Sequence, residues 1–113
     1  MKTLMAMIGA VLTLAACSGD AGSGPTQVKG DTVLVSMPGF SFVPFTASVK
    51  VGGVVLFDFP SEPHNVIFEK KAGAPTDIQV VSNRSIARTF NAAGTFPYDC
   101  TIHPGMSGVV EVH

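Results

Sequence analysis

Between residues 28 and 113 the apolar positions fall in short β-branched and aromatic runs, separated every few residues by glycine, proline or polar turn residues. No helical period emerges there, and the spacing is that of strands in an all-β sandwich. The pattern predicts strands over Thr32–Met37, Ala47–Val51, Val54–Phe59, Asn65–Glu69, Ile86–Phe90, Thr95–Cys100 and Ser107–Val112. From 70 to 83, Pro75 and weak alternation indicate a connection crossing between sheets, with a short strand at Ile78–Val81. The total is then about seven or eight strands. Gly52-Gly53 reads as a two-residue hairpin turn, since glycine accepts positive φ without steric cost, and Pro38-Gly39 and Ala93-Gly94 punctuate in the same way. Most of the 8 phenylalanines are expected in the core. Each buried ring contributes about 2–3 kcal/mol there.

The first residues follow a different pattern. Lys2 and an apolar stretch over residues 4–16 have the form of a secretory signal peptide (residues 1–16), with an apolar part too short to span a bilayer comfortably. Leu14-Ala15-Ala16-Cys17 resembles the lipobox of bacterial lipoproteins. That resemblance implies that Cys17 is diacylated and becomes the mature N-terminus, anchored by acyl chains worth about 0.8 kcal/mol per buried CH₂. Residues 17–27, rich in Gly and Ser, read as a flexible tether, which leaves 28–113 as the folded domain. The domain is therefore expected to be exported and held on the periplasmic or cell-surface side of a membrane.

With 113 residues the chain has room for one such domain. Charged residues at 13% against 46% apolar ones exclude a disordered chain. A net charge of −1 without a basic run excludes nucleic acid as a partner, because phosphate binding needs clustered Lys and Arg.

Chemistry concentrates in Cys100-Thr101-Ile102-His103-Pro104-Gly105-Met106, which sets a thiol, an imidazole and a thioether at three-residue intervals before the last strand. Soft and borderline donors of these kinds select copper over magnesium, calcium or manganese. A trigonal copper site needs two histidines and a cysteine with a weak axial methionine, and His64 is the candidate for the missing imidazole. It stands at the start of a strand, just after a proline-rich turn, whereas the other three donors occupy one loop. Cys17 and Cys100 are not paired here, because a disulfide would consume the thiol that the loop presents.

Pro63-His64-Asn65-Val66, followed later by Tyr98-Asp99-Cys100-Thr101-Ile102-His103-Pro104-Gly105-Met106, resembles the cupredoxins, the type 1 blue copper electron-transfer proteins. The similarity runs from about Phe40 to the end of the chain. The two residues between His103 and Met106 match the short ligand loop of the amicyanin branch. The resemblance implies a Greek-key β-sandwich in which His64, Cys100 and His103 hold one copper ion in a plane and Met106 is the axial ligand. It also implies that Asn65 links the two ligand-bearing segments by hydrogen bonds and supports the cysteine sulfur. Gly105 departs from the pattern, standing where amicyanin carries a bulkier apolar residue.

The function expected is therefore electron transfer by cycling between Cu(I) and Cu(II), with copper storage, scavenging or delivery through the same ligands as the alternative. His103 is expected to keep an edge near solvent, framed by Pro104, Gly105 and either Pro44 or Met37, as the docking point for redox donor and acceptor proteins; for Met37, core packing is the favoured reading. The expected molecule is a monomer, not an enzyme, and His113 a solvated tail residue. Structural zinc would want four strong donors rather than a thioether. Catalysis by Cys100 with a histidine base lacks any oxyanion hole or substrate pocket in the sequence, and it would leave Met106 without a role.

Overall fold

The computed structural model describes residues 31–113. The signal peptide, the Cys17 lipidation position, the tether and the expected domain start at Val28 lie outside the described residues. Eight strands follow one another: β1 (Thr32–Ser36), β2 (Thr46–Val49), β3 (Gly53–Phe59), β4 (His64–Phe68), β5 (Ile78–Val81), β6 (Arg84–Phe90), β7 (Gly94–Asp99) and β8 (Ser107–Val112). They form a three-stranded sheet, β1-β3-β6, and a five-stranded sheet, β2-β8-β7-β4-β5. Non-sequential neighbours and repeated crossings between layers make this a Greek-key sandwich, and no helix occurs among the described residues.

Strand alternation builds the core. Val55, Phe57 and Phe59 on β3, Val66 and Phe68 on β4, Phe96 and Tyr98 on β7, and Val110 and Val112 on β8 are all buried at every second position. Tyr98 is the hub, its ring centroid lying 4.8 Å from that of Phe42, 5.4 Å from Phe57 and 5.7 Å from Phe68, all edge-on. Such edge-to-face contacts add about 0.5–1.5 kcal/mol beyond area burial. Met37 is 3% exposed and belongs to this core rather than to the surface around His103. Of the phenylalanines, Phe40 and Phe45 depart from the core expectation: they are 63% and 59% exposed.

The turn at Gly52-Gly53 does not close a hairpin. β2 pairs in parallel with β8, whereas β3 pairs with β1 and β6 in the other sheet, so this turn carries the chain from one layer to the other. Gly52 has φ 89° and donates its N–H to the Phe90 carbonyl at 2.7 Å. A Cβ on Gly53 would meet the Lys50 carbonyl oxygen at 2.8 Å. The glycines therefore serve a tight corner, a demand that looks the same in sequence as a hairpin.

Both ends of the described domain meet at this corner. Val54 donates to the Asp31 carbonyl, and His113 exchanges hydrogen bonds with Val49 and Val51 at 3.0 Å each. β1 and β3 run from here toward the opposite pole, and β8 runs back from it. At that opposite pole lie the 60–63 turn, the 100–106 loop and the 37–42 loop, the last closed by paired hydrogen bonds between Ser36 and Val43 at 2.8 and 2.9 Å.

Candidate metal centre

Three donors extend the inward alternation of three strands. His64 continues Phe68 and Val66, Cys100 continues Phe96 and Tyr98, and Met106 continues Val112, Val110 and Gly108, so each side chain is carried to one pole by the period-two geometry of its sheet. All three are buried. His103 enters from the loop between β7 and β8, with a side chain 17% exposed.

The loop is shaped by its own backbone. Cys100 N–H donates to the Met106 carbonyl at 2.9 Å, Met106 N–H to the His103 carbonyl at 3.1 Å, and His103 N–H to the Cys100 carbonyl at 3.4 Å. Gly105 has φ 87°, a region L side chains avoid, and a Cβ there would meet nothing within 4 Å. Backbone conformation, not crowding, therefore accounts for a glycine at this position. Asn65 points to the other side of β4 and is covered by Thr101. Its Nδ2 donates to Thr101 Oγ1 at 2.9 Å, and its Oδ1 accepts the Thr101 N–H at 2.8 Å.

His64, Cys100 and His103 converge. His64 Nδ1 lies 3.1 Å from His103 Nδ1 and 3.8 Å from Cys100 Sγ, and His103 Nδ1 lies 3.4 Å from Cys100 Sγ. An ion bonded at about 2.0–2.3 Å, the lengths usual between a first-row metal and imidazole or thiolate, spans a triangle of this size. Two nitrogens and one sulfur make a set with little use for hard cations, and a methionine in the same loop favours copper over zinc. The cluster of His64, Cys100, His103 and Met106 thus fits one copper ion. The Cys100 thiol is free.

The electrostatics favour neutral, metal-ready imidazole. Burial lowers the His64 pKa from 6.5, the neighbouring His103 lowers it further, and Glu62 acts in the opposite direction. Among the described residues His64 Nε2 has no hydrogen-bond partner, so a charged His64 ring would be poorly solvated.

Two residues outside the expected set touch His103. Phe40 lies against its ring, centroids 4.6 Å apart and planes tilted by 43°. Glu62 brings Oε2 to 3.4 Å from His103 Nε2. Phe40 follows the turn signal Pro38-Gly39, which could have marked it as a loop tip; nothing local in the sequence pairs Glu62 with a residue so far along the chain. Pro44 and Pro104 are exposed, as are Val43 and Ile102. His113 is also exposed, with Nδ1 3.5 Å from Ser48 Oγ at the far pole.

Comparison with known proteins gives a consistent set of similarities. Residues 30–113 match the family described as copper binding proteins, plastocyanin/azurin family. Amicyanin-alpha of Methylorubrum extorquens is 33% identical over 97 residues, covering 82% of this chain and 76% of its own. The crystal structure of amicyanin from Paracoccus versutus superimposes with a TM-score of 0.63 at 30% identity, covering 77% of this chain and 86% of that one. A reduced Cu(I) form of an amicyanin variant at pH 4 gives a TM-score of 0.63 at 27% identity, over 77% of this chain and 87% of the other.

Proposed function

The chain belongs to the plastocyanin/azurin family of copper-binding proteins, and from that membership we propose that it carries single electrons at a type 1 site where His64, Cys100, His103 and Met106 would hold the copper ion. The observation that carries this reading is the donor triangle of 3.1, 3.4 and 3.8 Å formed by two imidazole nitrogens and one cysteine sulfur. Copper, when bound, supplies the one-electron Cu(I)/Cu(II) couple.

The remaining work is done by the chain. His64 and Cys100, buried at strand ends, cannot move apart without disturbing the sandwich, so the fold would hold these two donors in one arrangement around an ion. Asn65 ties the cysteine loop to β4 and thereby orients the sulfur. His103 offers the partly exposed edge through which an electron leaves, framed by Phe40, Pro104 and Ile102. Burial of Cys100 and His64 favours a resident ion over one handed to an acceptor. Redox proteins dock at this end, and the molecule acts as a monomer without catalysing a reaction of its own. Residues 1–16 direct export, Cys17 carries the lipid anchor, and residues 28–113 form the working domain on the periplasmic or cell-surface side of the membrane.

The test is to add Cu(II) to the purified protein and record visible and electron paramagnetic resonance spectra. An intense thiolate-to-copper band with small copper hyperfine splitting is expected, reversibly bleached by ascorbate. A colourless protein with tetragonal copper overturns the assignment. Mass analysis of the membrane fraction tests lipidation of Cys17, which an unmodified N-terminus rules out.

A further inference from the structure

His103 is the one candidate ligand with an exposed edge, and that edge is not left to solvent. On one side Phe40 packs against the ring at 4.6 Å; at Nε2 stands the Glu62 carboxylate, 3.4 Å away. The position of Glu62 is built into the chain. As the residue before Pro63 its backbone is disfavoured from the α region, and Asn83 N–H pins the start of the same turn by donating to the Pro60 carbonyl at 2.8 Å. The glutamate side chain is 54% exposed, so its charge faces both the ring and anything approaching it.

A carboxylate oxygen accepts but does not donate, so the Glu62 carboxylate at 3.4 Å favours the tautomer with the hydrogen on the ring nitrogen that faces it. That leaves the lone pair of His103 on Nδ1, the atom 3.4 Å from Cys100 Sγ. Carboxylates placed behind metal-binding histidines fix the tautomer and raise the basicity of the ligating nitrogen. A negative charge next to a metal couple also favours its more positive state.

We propose that Glu62 is a positioning residue of the copper centre: it holds the His103 ring with Nδ1 toward Cys100, biases the couple toward Cu(II), and makes the electron-exit edge prefer positively charged reaction partners. The inference rests on the blue-copper reading above for its redox part; its hold on the ring is independent of copper. The two roles separate chemically, since Glu62→Gln keeps an acceptor oxygen but removes the charge, whereas Glu62→Ala removes both.

The experiment uses the full chain with both variants. Imidazole ¹⁵N shifts of the metal-free protein above pH 8 report the His103 tautomer. The copper-loaded protein is equilibrated against a redox mediator, and its exchange rates with hexaammineruthenium(III), a cation, and hexacyanoferrate(III), an anion, are compared at low and high salt. Expected for Glu62→Gln is an unchanged Nε2–H tautomer, a several-fold shift of the equilibrium toward Cu(I), and a several-fold loss of the rate advantage of the cation that in the wild type fades with salt. Glu62→Ala should show the same redox changes and also populate the Nδ1–H tautomer. A blue wild type with both variants identical to it in tautomer, equilibrium and reagent preference overturns the proposal. Absence of the blue band in the wild type sinks the blue-copper reading instead, and the tautomer comparison then still decides whether Glu62 orients His103.

Discussion

Asn65 and Thr101 are bonded to each other twice, through Nδ2 to Oγ1 at 2.9 Å and through Oδ1 to the backbone N–H at 2.8 Å, so the strand that carries one histidine is clamped to the loop that carries the cysteine. Asn65 is buried, which makes the loss of its two bonds costly. Asn65→Ala is expected to cost about 1–3 kcal/mol in stability and to weaken copper binding by about 10–100-fold. Denaturant unfolding and competition with a copper chelator measure the two effects. Unchanged copper affinity would show that the clamp does not reach the metal centre.

Phe40 and Phe45 contribute little to the core, since more than half of each is exposed. Their replacement by serine should change stability by no more than about 0.5 kcal/mol. Electron self-exchange between copies, read from NMR line widths of mixed Cu(I) and Cu(II) samples, should fall at least several-fold. That rate requires two apolar ends to approach each other closely. An unaltered self-exchange rate would place the contact surface elsewhere.

Tyr98 lies across Gly108, its register partner on β8, so that a Cβ on the glycine would meet the hydroxyl oxygen at 2.5 Å and the ring carbon bearing it at 2.6 Å. The hydroxyl is buried without a hydrogen-bond partner among the described residues, and burial pushes the phenol well above its usual pKa. Gly108→Ala should therefore destabilise by about 1–3 kcal/mol through overpacking. Tyr98→Phe should be neutral or stabilising, because it removes an unsatisfied polar group from the core. Unfolding midpoints of the two variants decide both points.

The pH dependence of the metal-free protein should carry a signature of Asp77. Lys70 Nζ bonds both of its oxygens at 2.8 and 2.7 Å, and this pairing, more than the Phe68 N–H at 2.9 Å, holds the carboxyl below its usual value of 3.8. A carboxyl with a depressed folded-state pKa contributes stability that is present above its unfolded value and is lost as pH falls through the folded value. The stability difference between wild type and Asp77→Asn should therefore be flat from about pH 5 to 8 and close below about pH 4. It should not exceed about 1 kcal/mol, because the Lys70 side chain is 73% exposed. A difference that persists at pH 2 would assign the effect to packing instead of charge.

Strands were legible because each inward position recurs every second residue, and His64, Cys100 and Met106 occupy the next inward positions beyond the core residues of β4, β7 and β8. The all-β sandwich follows from the same signal, whereas alternation is weak around the short strand at Ile78–Val81. Layer crossings were not legible: Gly52-Gly53 satisfies a corner between sheets as well as it would a hairpin, and only the partners of β2 and β3 distinguish the two. The exposure of Phe45 is not legible because a phenylalanine carries the same hydrophobic signal in a core and at the surface, whereas for Phe40 the preceding Pro38-Gly39 turn is the one local cue. Glu62 is the hardest case, since its contact with His103 exists only after β4 and β7 have been placed side by side.

Asp31 and His113 share the corner at Gly52, a full strand length from His103. A cysteine added beyond either end would bond the domain to a gold electrode with His103 facing the solution. Such a layer would be oriented by topology alone, and its faradaic current with dissolved reagents would pass through the Phe40 face of every molecule.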